Sequence, residues 1–239
     1  AAAGAFLMEA MTDPDPFIAW TSAFLLREAG EAAVSAGGER SAGYLFSALA
    51  HDDADIRQVA VWGLGVAAAA GAASAEAAVP ALIGALGDEA RAVRLEAQMA
   101  LWRQGPAVVP LLAEAFQNPA SVLGDPPAAP GGCAPASEVR SRAAETLIGF
   151  GRPAAAPLLD ALADDDLWVR WRAAWALSTL APAISSGSDE AARLLEAARR
   201  ESDPRVRIWL ERAGARLGAE RREAPPLGRR RSRGLPGAG

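Results

Sequence analysis

The sequence predicts an all-α chain that folds as an α–α superhelix of about six two-helix repeats. Three observations carry this. Ala, Leu, Arg and Glu dominate the 239 residues while Val, Ile and Thr are sparse, which favours helix over strand. One pattern of apolar, basic and acidic positions recurs six times in register. A second apolar segment follows most copies, so each copy reads as a pair of helices.

The pattern is plainest in "DDDLWVRWRAAWALSTLAP", residues 164–182. With Val169 as its anchor, the six anchors in chain order are Ile18, Ile56, Val93, Val139, Val169 and Val206, spaced by 38, 37, 46, 30 and 37 residues. One position after the anchor stands Arg57, Arg94, Arg140, Arg170 or Arg207, with Ala19 in the first copy. Three before it stands Asp15, Asp53, Asp166 or Asp203, with Ala90 and Ala136 in the other two. Four after it is a small residue in five copies, and eight after it is Leu in five.

Each position has a physical reading. The Asp caps a helix, because its carboxylate accepts from unpaired backbone N–H groups and meets the positive end of the dipole. The anchor and the positions four and eight later share one helical face. The small residue lets a neighbouring helix come close. Gly30, Gly105, Gly151 and Gly218, twelve after their anchors, end the helix with the positive φ that glycine tolerates. This first helix, A, spans roughly four turns.

The partner helices, B, read in order. The chain opens on "FLMEAMTDPD" from Phe6, which aligns with "PLLDALADDD" from Pro157. It therefore starts inside a B helix, and the solenoid is expected to be N-terminally incomplete. "GYLFSALAHDD" from Gly43 follows, then "AVPALIGALGD" from Ala78, "VVPLLAEAFQN" from Val108, "AAPLLDALADD" from Ala155 and "ARLLEAARRES" from Ala192. Pro80, Pro110 and Pro157 are in register and are expected in a first helical turn, where the missing N–H is harmless. Glu211, Arg212 and Gly214 make the last unit polar, as a capping helix should be. Residues 118–136, rich in Pro and Gly, read as an irregular surface insertion. The organisation expected is a solenoid over 1–218 and a disordered Arg-rich tail over 219–239.

Composition excludes several functions. The net charge is −5; residues 219–239 carry six Arg against two Glu, hence +4, so the remaining 218 residues carry −9. An acidic body does not suit a nucleic-acid surface, and only the tail could hold RNA, DNA or an acidic partner, weakly and with strong salt dependence. One Cys and one His leave no Cys-based metal cage, no multi-histidine site and no internal disulfide. Residues 59–75 lack charge but are mostly Ala and Gly, followed by Glu76 and Pro80, so no membrane span is expected. No phosphate loop, nucleophile elbow or zinc spacing occurs. A cytoplasmic monomer without cofactor is the expectation.

The succession D-x-x-V-R-x-x-A-x-x-A-L, then L-G-x-x-A-x-P-L-L, resembles HEAT repeats, and among them the HEAT-like subclass first named from phycobilisome lyases. The resemblance covers about residues 5–218. It implies an α-solenoid and a ladder of Asp–Arg contacts, here Asp53, Arg57, Arg94, Arg140, Asp166, Arg170, Asp203 and Arg207. Function does not follow from this fold, which serves many.

The leading expectation is a non-enzymatic scaffold that holds a protein or peptide on a concave surface lined by B helices, with Glu76, Glu114, Asp160 and Arg193 as contacts. Trp171 and Trp175 are expected to pack between repeats, whereas Phe17 and Trp168, both one before an anchor, are candidates for an exposed aromatic patch. His51 reads as a solvated turn residue, and Cys133 has no partner visible in sequence. The resemblance also implies an alternative, a bilin lyase or chaperone in which aromatics and Arg hold a tetrapyrrole. HEAT-like DNA glycosylases have basic concave faces, against which the −9 body speaks. The iron-dependent deoxyhypusine hydroxylases need paired His-Glu motifs, which a single His excludes.

Overall fold

The computed structural model describes residues 2–124 and 136–217, and they form helices without a strand. The helices are α1 (Ala2–Ala10), α2 (Pro16–Ala29), α3 (Glu31–Ser35), α4 (Gly38–Ala48), α5 (Ala54–Ala69), α6 (Ala75–Ala85) and α7 (Arg91–Arg103). Then come α8 (Val109–Gln117), α9 (Pro119–Leu123), α10 (Ala136–Gly149), α11 (Ala155–Asp160), α12 (Leu167–Leu180), α13 (Asp189–Arg200) and α14 (Pro204–Arg216). Gly218, Cys133 and the tail 219–239 lie outside the described residues.

The six A helices are α2, α5, α7, α10, α12 and α14, and each packs on the next in a row. The B helices back them: α1 lies on α2, α4 on α5, α6 on α7, α8 on α10, α11 on α12 and α13 on α14. Contacts thus step along an axis, as in a solenoid, and one apolar cluster runs from Met8 to Ala213. The leucines eight after the anchor, Leu26, Leu64, Leu101, Leu147 and Leu177, are fully buried in it. Each contributes about 1.5–3 kcal/mol of apolar burial.

Local chemistry sets the helix ends. Asp15, Asp53, Asp166 and Asp203 each accept the backbone N–H two residues on. At the other end Gly30, Gly105 and Gly151 take φ of 79°, 74° and 67°, which only glycine adopts freely. In the second unit the helix runs on past Ala68, and Gly71 makes the same turn at φ 71°. Two further glycines allow close approach rather than a turn. A Cβ on Gly65 would lie 2.6 Å from Ala100 Cβ, and one on Gly149 would run into the Trp102 ring.

Two expectations are corrected. Pro80 sits inside α6, not in its first turn, because Ser74 starts that helix early. Pro110 and Pro157 do lie in the first turns of α8 and α11, each preceded by a short 3-10 turn, Pro106–Val108 and Arg152–Ala154. The insertion is not irregular throughout: Pro119 starts α9, whose Val122 and Leu123 pack against the core. The first A–B link also folds, as α3, whose Val34 is buried.

Candidate interaction surface

Two lines of side chains run along the stack, one polar at the turns and one apolar on the A helices. The polar line begins one step before the caps. Asp13, His51, Asp88, Asp164 and Glu201, each five before an anchor, accept the backbone N–H of the capping position at 2.8–2.9 Å. For His51 the acceptor is Nδ1, so this turn residue replaces a carboxylate in a structural role.

The repeated arginines close onto these turns. Arg57 is 3% exposed; it donates through Nε and Nη2 to Asp88 of the next unit and through Nη1 to the carbonyls of His51 and Asp52. Hydrogen bonding to Asp88 raises its pKa further, so the guanidinium stays charged despite burial. Arg170 repeats this with Glu201 and the carbonyls of Asp164 and Asp165. Arg94 donates to the carbonyls of Asp88 and Glu89. Arg140 reaches the cap Asp166 of the next unit at 3.0 Å. Among the described residues Arg207, in the last unit, pairs with Glu211 of its own helix alone, at 3.9 Å. The capping Asp53 and Asp203 do not pair with Arg57 and Arg207; their carboxylates serve Asp55 N–H and Arg205.

On the outer side of the A helices the positions two and six after the anchor vary in burial. Trp171 is half-buried against Val206 and Leu210, and Trp175 lies under Arg172, with the guanidinium 4.3 Å from the ring centroid. At the same register Trp20, Phe24, Leu95 and Met99 on α2 and α7 are 43–51% exposed. Trp20 and Phe24 stack with ring centroids 5.8 Å apart. Between α2 and α5 they border a groove of about 180 Å³ that Ala23, Arg27, Asp55, Gln58 and Val59 complete.

Two residues that line the groove, Arg27 and Gln58, are held by a buried carboxylate that sequence reasoning missed. Glu96 on α7 is 3% exposed and receives Arg27 from α2 and Gln58 from α5, each at 3.4 Å. Arg27 crosses α5 to reach it, 4.6 Å above the Trp62 ring. The signal in the sequence is a lone acid three after an anchor, where the first two units carry Thr21 and Val59.

The expected contact residues are dispersed. Phe17 is 75% exposed at the start of α2. Trp168, on the fifth A helix, turns inward to Phe116 with centroids 6.2 Å apart and is half-buried, so it forms no patch with Phe17. Glu76, Glu114, Asp160 and Arg193 are exposed on B helices, but Asp160 and Arg193 pair with each other across α11 and α13. Among the described residues no three His, Cys, Asp or Glu gather where a metal ion could sit, and no helix is long and apolar enough to cross a membrane.

Six stacked hairpins, sealed by their neighbours and stapled at the turns, define a helical-repeat solenoid. The family model for HEAT repeats matches residues 42–123 and 134–214, and the chain belongs to that family. Solved structures similar to it include an engineered protein, 18% identical over 90% of this chain and 96% of that one, with a TM-score of 0.46. The complex of CpcE and CpcF of phycocyanin lyase from Nostoc sp. PCC7120 is 18% identical over 90% and 94%, with a TM-score of 0.36. Human deoxyhypusine hydroxylase in complex with glycerol is 21% identical over 89% and 84%, with a TM-score of 0.34. A comparison with the curated proteins gives no match.

Proposed function

We propose that the chain is a non-enzymatic scaffold that holds a protein or peptide segment against the outer face of α2, α5 and α7. The observation that carries this is the set of half-exposed apolar side chains at one register, Trp20 and Phe24 bordering the groove and Leu95 and Met99 on α7. Large apolar side chains gathered on an exposed face mark binding sites more often than exposed charges do. This moves the expected surface from the B helices, whose candidate residues are charged, to the A helices. The groove, at about 180 Å³, is smaller than the ~300–1,000 Å³ of clefts that enclose small molecules, and it suits one or two side chains of a partner. That size favours a polypeptide over a tetrapyrrole.

The test is capture of partners from the source organism by the wild-type chain and by Phe24→Glu, Met99→Glu and their combination. A protein retained by the wild type and lost from the double variant is the expected result. Retention of the same proteins by both, or of none by either, contradicts the assignment.

A further inference from the structure

We propose that the groove between α2 and α5 takes an arginine of the partner, its guanidinium stacked on Trp20 and paired with the Asp55 carboxylate. This rests on the reading that the groove holds a polypeptide, and it names the side chain that is recognised there. The fold builds the same three-part contact twice for itself. Arg27 lies 4.6 Å from the centroid of the Trp62 ring and pairs with Glu96 on the next A helix. Arg172 lies 4.3 Å from the centroid of the Trp175 ring and pairs with Glu145 on the preceding A helix at 2.8 Å. A guanidinium is planar and weakly hydrated, so it gains from an indole face and a carboxylate at once. Trp20 and Asp55 repeat the indole and the carboxylate on adjacent A helices, with Trp20 Nε1 donating to Asp55 Oδ2 at 3.4 Å. Among the described residues no arginine pairs with Asp55.

Local sequence leaves that place open. Asp55 has Val59 four positions on, whereas Glu138, at the same register on α10, is taken by Arg142 four positions on, at 3.2 Å. Arg27 also lines the groove, but it stands seven residues along α2 from Trp20, roughly 10 Å, and Glu96 offsets its charge. The register faces outward even in a helix with a neighbour on each side. Leu95 and Met99, the equivalents of Trp20 and Phe24, are 46% and 47% exposed on α7, which lies between α5 and α10. Charge favours a cation. Residues 13–29 and 51–69, which hold α2, α5 and the turns leading into them, carry six acids against two arginines. Both arginines already pair with acids of the third unit, Arg27 with Glu96 and Arg57 with Asp88. The negative surplus attracts a basic segment and disfavours an acidic one. Phe24, stacked on Trp20, leaves with Ala23 and Val59 an apolar shelf for a residue beside the arginine.

The probe is the peptide acetyl-Ala-Arg-Leu-Ala-amide, titrated into the isotope-labelled full chain while NMR follows the Trp20 indole N–H, which Trp20→Phe assigns. A saturable shift is expected, with affinity weakened about fivefold in Asp55→Asn. The same peptide with citrulline for arginine keeps the shape and loses the charge, and it should bind the wild type about fivefold more weakly. No saturable shift, equal affinity for the arginine and citrulline peptides, or affinity unchanged in Asp55→Asn overturns the proposal. Asp55 is exposed, and circular dichroism checks that the substitution leaves the helices intact. A captured protein that Asp55→Asn retains and the Phe24→Glu, Met99→Glu chain loses overturns the arginine while the scaffold reading stands. Deleting residues 219–239 should leave the Trp20 signal in place. A shift on deletion, with tighter peptide binding, gives the groove to the chain's own arginines and overturns the assignment to a partner.

Discussion

At the scale of residues, burial decides which members of the arginine row matter. Arg57 is enclosed and makes five hydrogen bonds with the turns on either side of it, so Arg57→Ala strands Asp88 and two carbonyls. Breaking a buried pair in this way costs about 3–5 kcal/mol. Arg207→Ala removes only an exposed pair and should cost less than about 1 kcal/mol. Urea melts of the two variants check the contrast, and equal losses would mean that the row is not a cross-repeat staple. Asp203 gives a pH signature. The Arg205 guanidinium and backbone N–H both donate to its carboxylate and lower its pKa from the ordinary 3.8 to about 2. The native state thus favours the ionised form, whose stabilising effect is whole above about pH 4 and fades as pH falls through 2. An NMR titration of the Asp203 carboxyl carbon should show a midpoint near 2; a midpoint at 3.8 or higher contradicts the cap. The caps were legible in sequence because Asp recurs three before the anchor. The partners of the arginines were not, since the residue five before the anchor is Asp, Glu, His or Ala by turns, and Asp88 and Glu201 pair with arginines 31 residues away.

At the scale of elements, helix spacing depends on where side chains are absent. Gly149 lies under the indole of Trp102, which also donates to Thr146 O at 3.0 Å and so cannot swing aside freely. Gly149→Ala should therefore destabilise by about 1–3 kcal/mol, through overpacking between α7 and α10. Gly43 lies inside α4 at an ordinary helical φ with nothing within 4 Å of a Cβ. Gly43→Ala should stabilise by about 0.5–1 kcal/mol. Thermal melts of both report the signs, and a neutral Gly149→Ala would mean that the helices are not in contact there. The A helices were readable because each has a cap, a face and a stop. The B helices were readable by their apolar runs but not by their starts, because Ser74 and the 3-10 turns before Val109 and Ala155 carry no shared signal. α9 escaped notice because Pro119 and the nearby glycines suggest a loop, while Pro at N1 is also how helices begin.

At the scale of the whole molecule, the described helices form one row with an outer face rich in apolar groups. The repeat order was legible because periodic signals add over six copies. The exposed ridge was not, since Trp20 and Trp171 occupy the same register, yet Trp171 packs against Val206 and Leu210 while Trp20 is 43% exposed. The central claim is that each A helix is sealed by its two neighbours in a row, with no single centre. Native-state hydrogen exchange, resolved by residue, tests it most directly. Linear stacking predicts graded protection: the amides of α5, α7, α10 and α12 exchange slowest, and those of α2 and α14, each packed on a single A helix among the described residues, open at lower free energy. Equal protection in all six A helices, lost together in one global opening, would contradict it.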